Sequence, residues 1–229
     1  MKTAYAPLKT GRFFITGTDT GVGKTRIAVA LCRTLAQRGL RVTAMKPVAS
    51  GCISTDVGLR SEDALALQRA INVRIPYDEI NPYAFKAAIA PHIAAKDIGC
   101  KIDFEVLDRA YQRMTLQSDI TIVEGAGGWL APLDAVRSFA DLAGFWQLEV
   151  ILVVGMRLGC LNHALLTAEA IERRGLRLRG WVANVIDPHF ERLEENLSIL
   201  QIRLAQPRLG VFPFVPQLGD DAVLPEFAI

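Results

Sequence analysis

Residues 12–25 read RFFITGTDTGVGKT, and how this stretch is read decides the fold. An apolar run ends at Gly17, a loop carrying Gly21 and Gly23 follows, and Lys24-Thr25 opens the segment 25–39, TRIAVALCRTLAQRG. In that segment Ile27, Ala30, Leu31 and Leu35 recur at helical spacing, and Gly39 is suited to end the helix. Strand, Gly-rich loop and helix in this order are the context in which a P-loop holds phosphate. Glycines let the loop curl so that successive backbone N–H groups face inward, and the helix N-terminus adds partial positive charge. The pattern predicts that Thr20, Gly21, Val22, Gly23, Lys24 and Thr25 cradle a nucleotide, with Lys24 reaching the β and γ phosphates and the Thr25 hydroxyl on Mg²⁺. The strict spacing GxxxxGK[ST] would place glycine at position 18, which is Thr18; Gly17 lies one residue early. The structural alternative is a Gly-rich turn that caps a helix and binds nothing.

Outward from this stretch, short β-branched runs alternate with helical periods, the pattern of βα units around a buried parallel sheet. Strands are expected at 12–18, 41–47, 119–125, 149–155, 179–185 and 208–214, and further helices at 61–71, 103–114, 163–175 and 189–205. The fold class is therefore α/β: a single domain, 1–229, with a P-loop NTPase-type parallel sheet flanked by helices. Residues 48–118 form a long excursion between two strands, and an insertion of that length usually carries function.

Composition narrows the partners. Among 229 residues, 26 Lys and Arg against 24 Asp and Glu leave a net charge of +2, too weak to argue for nucleic acid or a membrane surface. The most apolar run, Val150 to Met156, is far short of the roughly 20 residues that span a bilayer. The four cysteines, Cys32, Cys52, Cys100 and Cys160, form no CxxC pair, so reduced thiols in the cytoplasm are expected rather than a disulfide framework or a zinc site. The N-terminus lacks the longer apolar stretch of a secretory signal.

Three further residues join the loop. Lys46 ends the second strand, and in an open parallel sheet ligands sit beyond the C-terminal strand ends, which aims Lys46 at the crevice of the P-loop. Two lysines over one triphosphate suit a reaction that builds up more negative charge than hydrolysis; a surface lysine at a strand end is the plainer reading. Glu124 ends the third strand in the place of a Walker B acid, before Gly125-Ala126-Gly127-Gly128, where a ligand can approach the backbone closely. Asp63 stands near the start of SEDALALQR, either as an oxygen ligand for Mg²⁺ or as a charge favoured by the helix dipole.

Taken together, GTDTGVGKT, KPVASG, LRSEDALALQR, NPY…PH, VEGAGGW, ILVVGMRLGCLNHALLT and GWVAN resemble the dethiobiotin synthetase family in order and spacing over nearly the whole chain. The resemblance implies ATP-dependent closure of a cyclic urea: 7,8-diaminononanoate and CO₂ give dethiobiotin through a substrate carbamate and a carbamic-phosphoric anhydride, with release of ADP and phosphate. It implies that Lys46 and Lys24 are catalytic, that Thr20, Lys46 and Ser50 contact the diamine or its carbamate, and that Thr25, Asp63 and Glu124 ligate Mg²⁺. Asn184 with Pro213, Phe214 and Val215 would hold adenine, and Gly125, Ala126 and Gly127 would lie along the nucleotide. It further implies a homodimer with shared sites, in which Gly159, Cys160, Leu161 and Asn162 of the partner copy capture the substrate carboxylate; the alternative is that Asn162 caps its own helix. Gly21 stands where relatives often carry Glu, and the stretch after Val215 matches least.

Other features read plainly. His92 and His163 are expected to be scaffold histidines, and no histidine is needed as a base if the carbamate helps remove protons. Trp129 is expected to pack, and the helix at 189–205 to be a solvated amphipathic element. The competing function is a P-loop ATPase of the partitioning or division-site type, whose signature lysine would fall at position 19; that residue is Asp19. A cobyrinate-type amidating ligase would need a glutaminase domain, for which the chain is expected to have no room.

Overall fold

The computed structural model describes residues 9–215 and Phe227. Strand β1 (Gly11–Gly17) leads through the loop to α1 (Lys24–Gln37) and back to β2 (Val42–Met45). The excursion then contributes β3 (Val48–Ser50), β4 (Ile53–Thr55), β5 (Gly58–Arg60), α2 (Glu62–Ala70), α3 (Tyr77–Ile80), β6 (Tyr83–Phe85), α4 (Pro91–Asp97) and α5 (Phe104–Thr115). The chain returns to the main sheet with β7 (Ile120–Glu124), followed by α6 (Phe139–Phe145), β8 (Glu149–Met156), α7 (Cys160–Arg173), β9 (Leu178–Val185), α8 (Leu193–Arg203) and β10 (Arg208–Phe212).

The main sheet has six strands in the order β10-β9-β8-β1-β7-β2, all pairs parallel. Its strands are apolar on both faces because helices cover both. Phe13 and Ile15 of β1 join one core cluster with Ile27, Leu31 and Leu35 of α1, while Phe14 between them joins the other with residues of α5, α6 and α7. The sheet order turns at β1, whose neighbours β7 and β8 both come later in the chain, and a parallel sheet opens its ligand crevice at such a reversal. The excursion forms two small sheets, the parallel pair β3–β6 and the hairpin β4–β5, outside the main one.

All six expected strands are present: β2, β7 and β10 are shorter than expected, β8 and β9 are each one residue longer, and β1 lies one residue earlier. The last stops at Phe212, since Pro213 has no N–H to continue the ladder. Helix α7 begins at Cys160 rather than 163, because Gly159 in the left-handed region (φ 92°) turns the chain directly into it. Helix α8 begins at Leu193 rather than 189: the Asp187 carboxylate accepts from the His189 N–H at 2.9 Å, and Arg192 takes a left-handed conformation before the helix starts. Its two faces are not cleanly divided, as Ile202 is largely exposed. Helix α6 was not expected; Ser138 and Asp141 build a reciprocal capping box at its start.

Candidate active site

The C-terminal ends of β1, β2 and β7 open into a cavity of about 750 Å³. Thr20, Gly21, Gly23, Lys24 and Thr25 line one side, and Lys46, Asp63 and Glu124 converge at its base. Ala126, Gly127 and Gly128 follow β7, and Ala49, Ser50 and residues 88–91 form the wall supplied by the excursion.

The loop is held from behind. Val22 is buried against Gly17 and Gly155, so only its backbone can face a ligand, and Gly23 adopts φ 89° at the start of α1. The Lys24 ammonium donates to the Asp19 carbonyl at 2.9 Å and is nearly buried. Burial, reinforced by the neighbouring Lys46 charge, pulls its pKa down to about 8. The cavity thus carries a cation with a deficit of negative charge, which an anionic ligand would relieve.

Lys46, immediately after β2, is 3% exposed, which removes the surface-lysine alternative. Its Nζ donates to Glu124 Oε1 at 2.6 Å and to the Gly125 carbonyl at 3.1 Å, and lies 2.9 Å from Asp63 Oδ2. Burial works against its charge, but Glu124 and Asp63 outweigh it and hold the pKa above the ordinary lysine value. For Glu124, burial raises the carboxyl above its usual range against the pull of Lys46, with Asp63 adding to the rise. For Asp63 the balance reverses: burial raises the carboxyl, and the attraction of Lys46 more than offsets it. Asp63 also lies in the first turn of α2, behind the Ser61 cap, so a helix-terminal position and a place in the cavity lining do not exclude each other.

These residues fit a divalent cation. The Thr25 hydroxyl donates to Glu124 Oε1 at 2.7 Å, and Asp63 and Glu124 meet on the same Lys46 ammonium, which brings a hydroxyl and two carboxylates to one place. Glu124 Oε2 is buried with no hydrogen-bond partner among the described residues, an acceptor that a cation would satisfy. No group of three or more His, Cys, Asp or Glu converges among the described residues. Mg²⁺ does not require one, since it is commonly held by one or two carboxylates, a hydroxyl, phosphates and water.

The remaining residues named from sequence divide. Ser50, Ala126 and Gly127 line the cavity, and Gly125 offers its carbonyl to Lys46. Asn184, Pro213, Phe214 and Val215 do not line it, but Asn184 touches the P-loop through the Val22 carbonyl at 2.8 Å. Gly159, Cys160, Leu161 and Asn162 are outside the cavity of this chain, at the start of α7. Gly159, not Asn162, is the cap of that helix, and Asn162 sits within its first turn; the reading of Asn162 as a cap is therefore corrected by the left-handed glycine. His92 and His163 do not line the cavity, and Trp129 is buried with its ring edge-on to Phe14 at 6.0 Å.

Sequence reasoning missed the 88–91 wall, which has no chemical signature. It also missed the use of Asp19, whose Oδ2 pairs with Arg157 at 2.6 Å while Oδ1 accepts from the Thr20 N–H at 2.7 Å. Where a partitioning-type loop would carry lysine, this chain has an internal brace between the P-loop and the turn after β8.

Strand, loop and helix around Lys24 and Thr25, with Glu124 at the end of a neighbouring parallel strand, define a P-loop nucleotide-binding protein. A family model described as an AAA domain matches residues 11–222. An ATP-dependent dethiobiotin synthetase of Xylella fastidiosa is 51% identical over 212 residues, covering 93% of this chain and 94% of the relative. That of Xanthomonas euvesicatoria is 51% identical over 210 residues, 92% and 93% of the two chains. The chain belongs to the dethiobiotin synthetase family. Among solved structures, the septum site-determining protein MinD of Pyrococcus horikoshii shares the fold with TM-score 0.55 and 20% identity, over 90% of this chain and 82% of that one. The signal recognition particle receptor FtsY of Elizabethkingia anophelis matches with TM-score 0.52 and 16% identity, over 91% of this chain and 60% of that one. Both likenesses concern the fold alone.

Proposed function

We propose that this chain closes the cyclic urea of dethiobiotin from 7,8-diaminononanoate and CO₂, converting ATP to ADP and phosphate. The observation that carries this reading is identity of about half the residues to ATP-dependent dethiobiotin synthetases across nearly the full length of both chains. The partitioning-type alternative is not favoured: MinD shares only the fold, and position 19 is Asp.

The site suits the chemistry. One amine of the diamine adds to CO₂ and loses a proton, giving a carbamate. A carbamate oxygen attacks the γ phosphorus and ADP leaves, forming the carbamic-phosphoric anhydride. The second amine attacks the carbamoyl carbon, phosphate departs, and the nitrogen loses its proton as the ring closes. Carbamate and triphosphate bring several negative charges together, and Lys24 and Lys46 are the cations that offset them, with Lys46 held at the base of the cavity to meet the transferring group. Thr20 and Ser50 line the cavity and would contact the diamine or its carbamate there; the buried Ser50 hydroxyl, which has no partner among the described residues, supports this reading. Thr25, Asp63 and Glu124 would hold Mg²⁺, which when bound neutralises phosphate charge and orients the triphosphate. Asp63→Asn and Glu124→Gln should each move the Mg²⁺ dependence of activity upward, on the order of tenfold, because an amide is a poorer ligand for a hard cation. A shift in Glu124→Gln alone would leave Asp63 as a helix-terminal charge and a partner of Lys46.

The reading includes a homodimer in the cytoplasm that acts on small molecules and engages neither nucleic acid nor membrane. Cys32, Cys52 and Cys160 are buried at separate places in the fold, and no helix among the described residues is long and apolar enough to cross a membrane. The start of α7, with exposed Gly159 and Asn162, lies outside its own chain's cavity and is available to a partner. Mixing inactive Lys46→Ala with an inactive bulky variant at Gly159, after dissociation and reassociation, should restore up to about a quarter of wild-type activity if sites are shared. No recovery despite subunit exchange would place both groups in one chain's site.

The direct test incubates the protein with ATP, Mg²⁺, bicarbonate and 7,8-diaminononanoate and seeks dethiobiotin by mass spectrometry. Folded protein that makes none overturns the assignment.

A further inference from the structure

Asn184, near the end of β9, has an amide that is already half engaged. Its Nδ2 donates to the Val22 carbonyl at 2.8 Å, and its Oδ1 accepts from Arg26 Nη1 at 2.8 Å. A carbonyl only accepts and a guanidinium only donates, so these two partners leave one orientation for the amide. The same Arg26 Nη1 donates to the Pro213 carbonyl at 2.8 Å, and the guanidinium lies over the Phe212 ring, 5.3 Å from its centre. Arg26 follows Thr25 in the first turn of α1, and it ties that turn to the ends of β9 and β10.

We infer that Arg26 is a positioning residue that sets nucleotide base specificity, by locking Asn184 in the orientation that accepts adenine and refuses guanine. The inference rests on the reading of Asn184 as the base contact. Pinned on one side, the amide keeps one Oδ1 lone pair and one Nδ2 hydrogen for a ligand. Adenine offers the complement, the N6 amino donor beside a ring-nitrogen acceptor. Guanine carries the O6 acceptor where adenine has N6, and its O6 and N1–H pair fits only an amide turned by 180°. That turn would set Nδ2 against the Arg26 donor and Oδ1 against the Val22 carbonyl. Arg26 therefore supplies one of the two penalties that keep the amide from reading guanine, and the ring of Phe212 holds its guanidinium in place.

Steady-state kinetics and calorimetric binding with ATP and GTP on the full chain test this. Arg26→Met should raise KM for ATP about tenfold with kcat within about twofold, and lower the ATP over GTP ratio of kcat/KM by about tenfold, since a charge-assisted pin is lost and one penalty removed. Arg26→Lys keeps a cationic donor and should recover part of both effects; if Arg26→Met does not fold, this variant carries the test, with a partial loss of discrimination expected. A merely structural Arg26 would lower the melting temperature and leave the ATP over GTP ratio unchanged, which overturns the inference. Asn184→Ala separates the two levels. If it loses discrimination while both Arg26 variants keep it, Arg26 has no such role and the base reading stands. If Asn184→Ala leaves KM and the ratio untouched, the base lies elsewhere and both readings fall.

Discussion

Helices α1 and α7 start alike and differ in what surrounds them. Each follows a strand of the main sheet, and those strands, β1 and β8, are hydrogen-bonded neighbours. Each begins after a glycine in the left-handed region, φ 89° at Gly23 and 92° at Gly159, and neither has a side-chain cap or an acid in its first turn. Both therefore present free N–H groups and partial positive charge. Around α1, however, Lys46 and Glu124 arrive from the ends of β2 and β7 and Asp63 from α2, and together they enclose a cavity. Before α7, Leu158 is 92% exposed, and no residue of 159–162 lines that cavity. An uncapped helix terminus thus occurs twice at the centre of the sheet and does not by itself make a site; the convergence of strand ends on α1 does.

The comparison is broken most severely at the base of the α1 cavity. Lys46→Gln keeps length and polarity but removes the cation, so turnover should fall by about 10² or more while ATP binding largely survives. Near-normal turnover would mean that the α1 terminus alone does the work, which is the condition α7 already has.

Lys24 sharpens the contrast through stability. Its pKa is about 8 in the native protein against 10.5 as the ordinary value, so the unfolded chain holds a proton that the native state tends to release. The contribution of Lys24 to stability should therefore rise with pH from about 8 to about 10.5, and below 8 the full penalty of the buried charge remains. The buried thiols of Cys32, Cys52 and Cys160, pushed up by burial, act in the opposite direction, so the Lys24 contribution is read as the difference between wild type and a Lys24 variant. Lys24→Met should raise the stability of nucleotide-free protein at pH 7 by roughly 2–3 kcal/mol, while activity is lost. Thermal unfolding against pH, with and without ATP and Mg²⁺, measures it. A difference between wild type and Lys24→Met that stays constant between pH 8 and 10.5 would show that Lys24 is already neutralised from within, as no residue at α7 needs to be.

Much of this was legible in the chain because period and punctuation are local. Val150–Val154 and Ile120–Val123 could only be buried strands, and Gly-Lys-Thr after Phe13–Ile15 marked the phosphate loop. The acid and lysine at strand ends were legible for a topological reason: parallel strands deliver their C-terminal residues to one edge. What stayed hidden depends on distant partners. Nothing near Arg26 in sequence announces Asn184 or Pro213, and Asp19 shows no local sign of Arg157. The start of α7 was misplaced because His163, next to a polar Asn, read as a helix opening, whereas the backbone turned earlier at Gly159. Residues 88–91 shape the cavity with small and apolar side chains that carry no chemistry of their own.

The two capping glycines give the finest test. At Gly23 an added Cβ would fall on Asn184 Nδ2, in addition to the strain of a left-handed alanine, so Gly23→Ala should weaken ATP binding about tenfold by displacing the amide and the loop together. At Gly159 an added Cβ meets nothing within 4 Å, and only the backbone strain remains. Gly159→Ala should therefore lower stability by about 1 kcal/mol, or roughly 2–4 °C in melting temperature for a chain of this size, with KM for ATP unchanged. KM for the diamine is then the informative quantity. If the partner's α7 terminus holds the substrate carboxylate, a methyl at Gly159 should raise that KM without moving the one for ATP. If neither KM moves, Gly159 is a turn and nothing more, and the likeness of the two helix starts ends at their backbones.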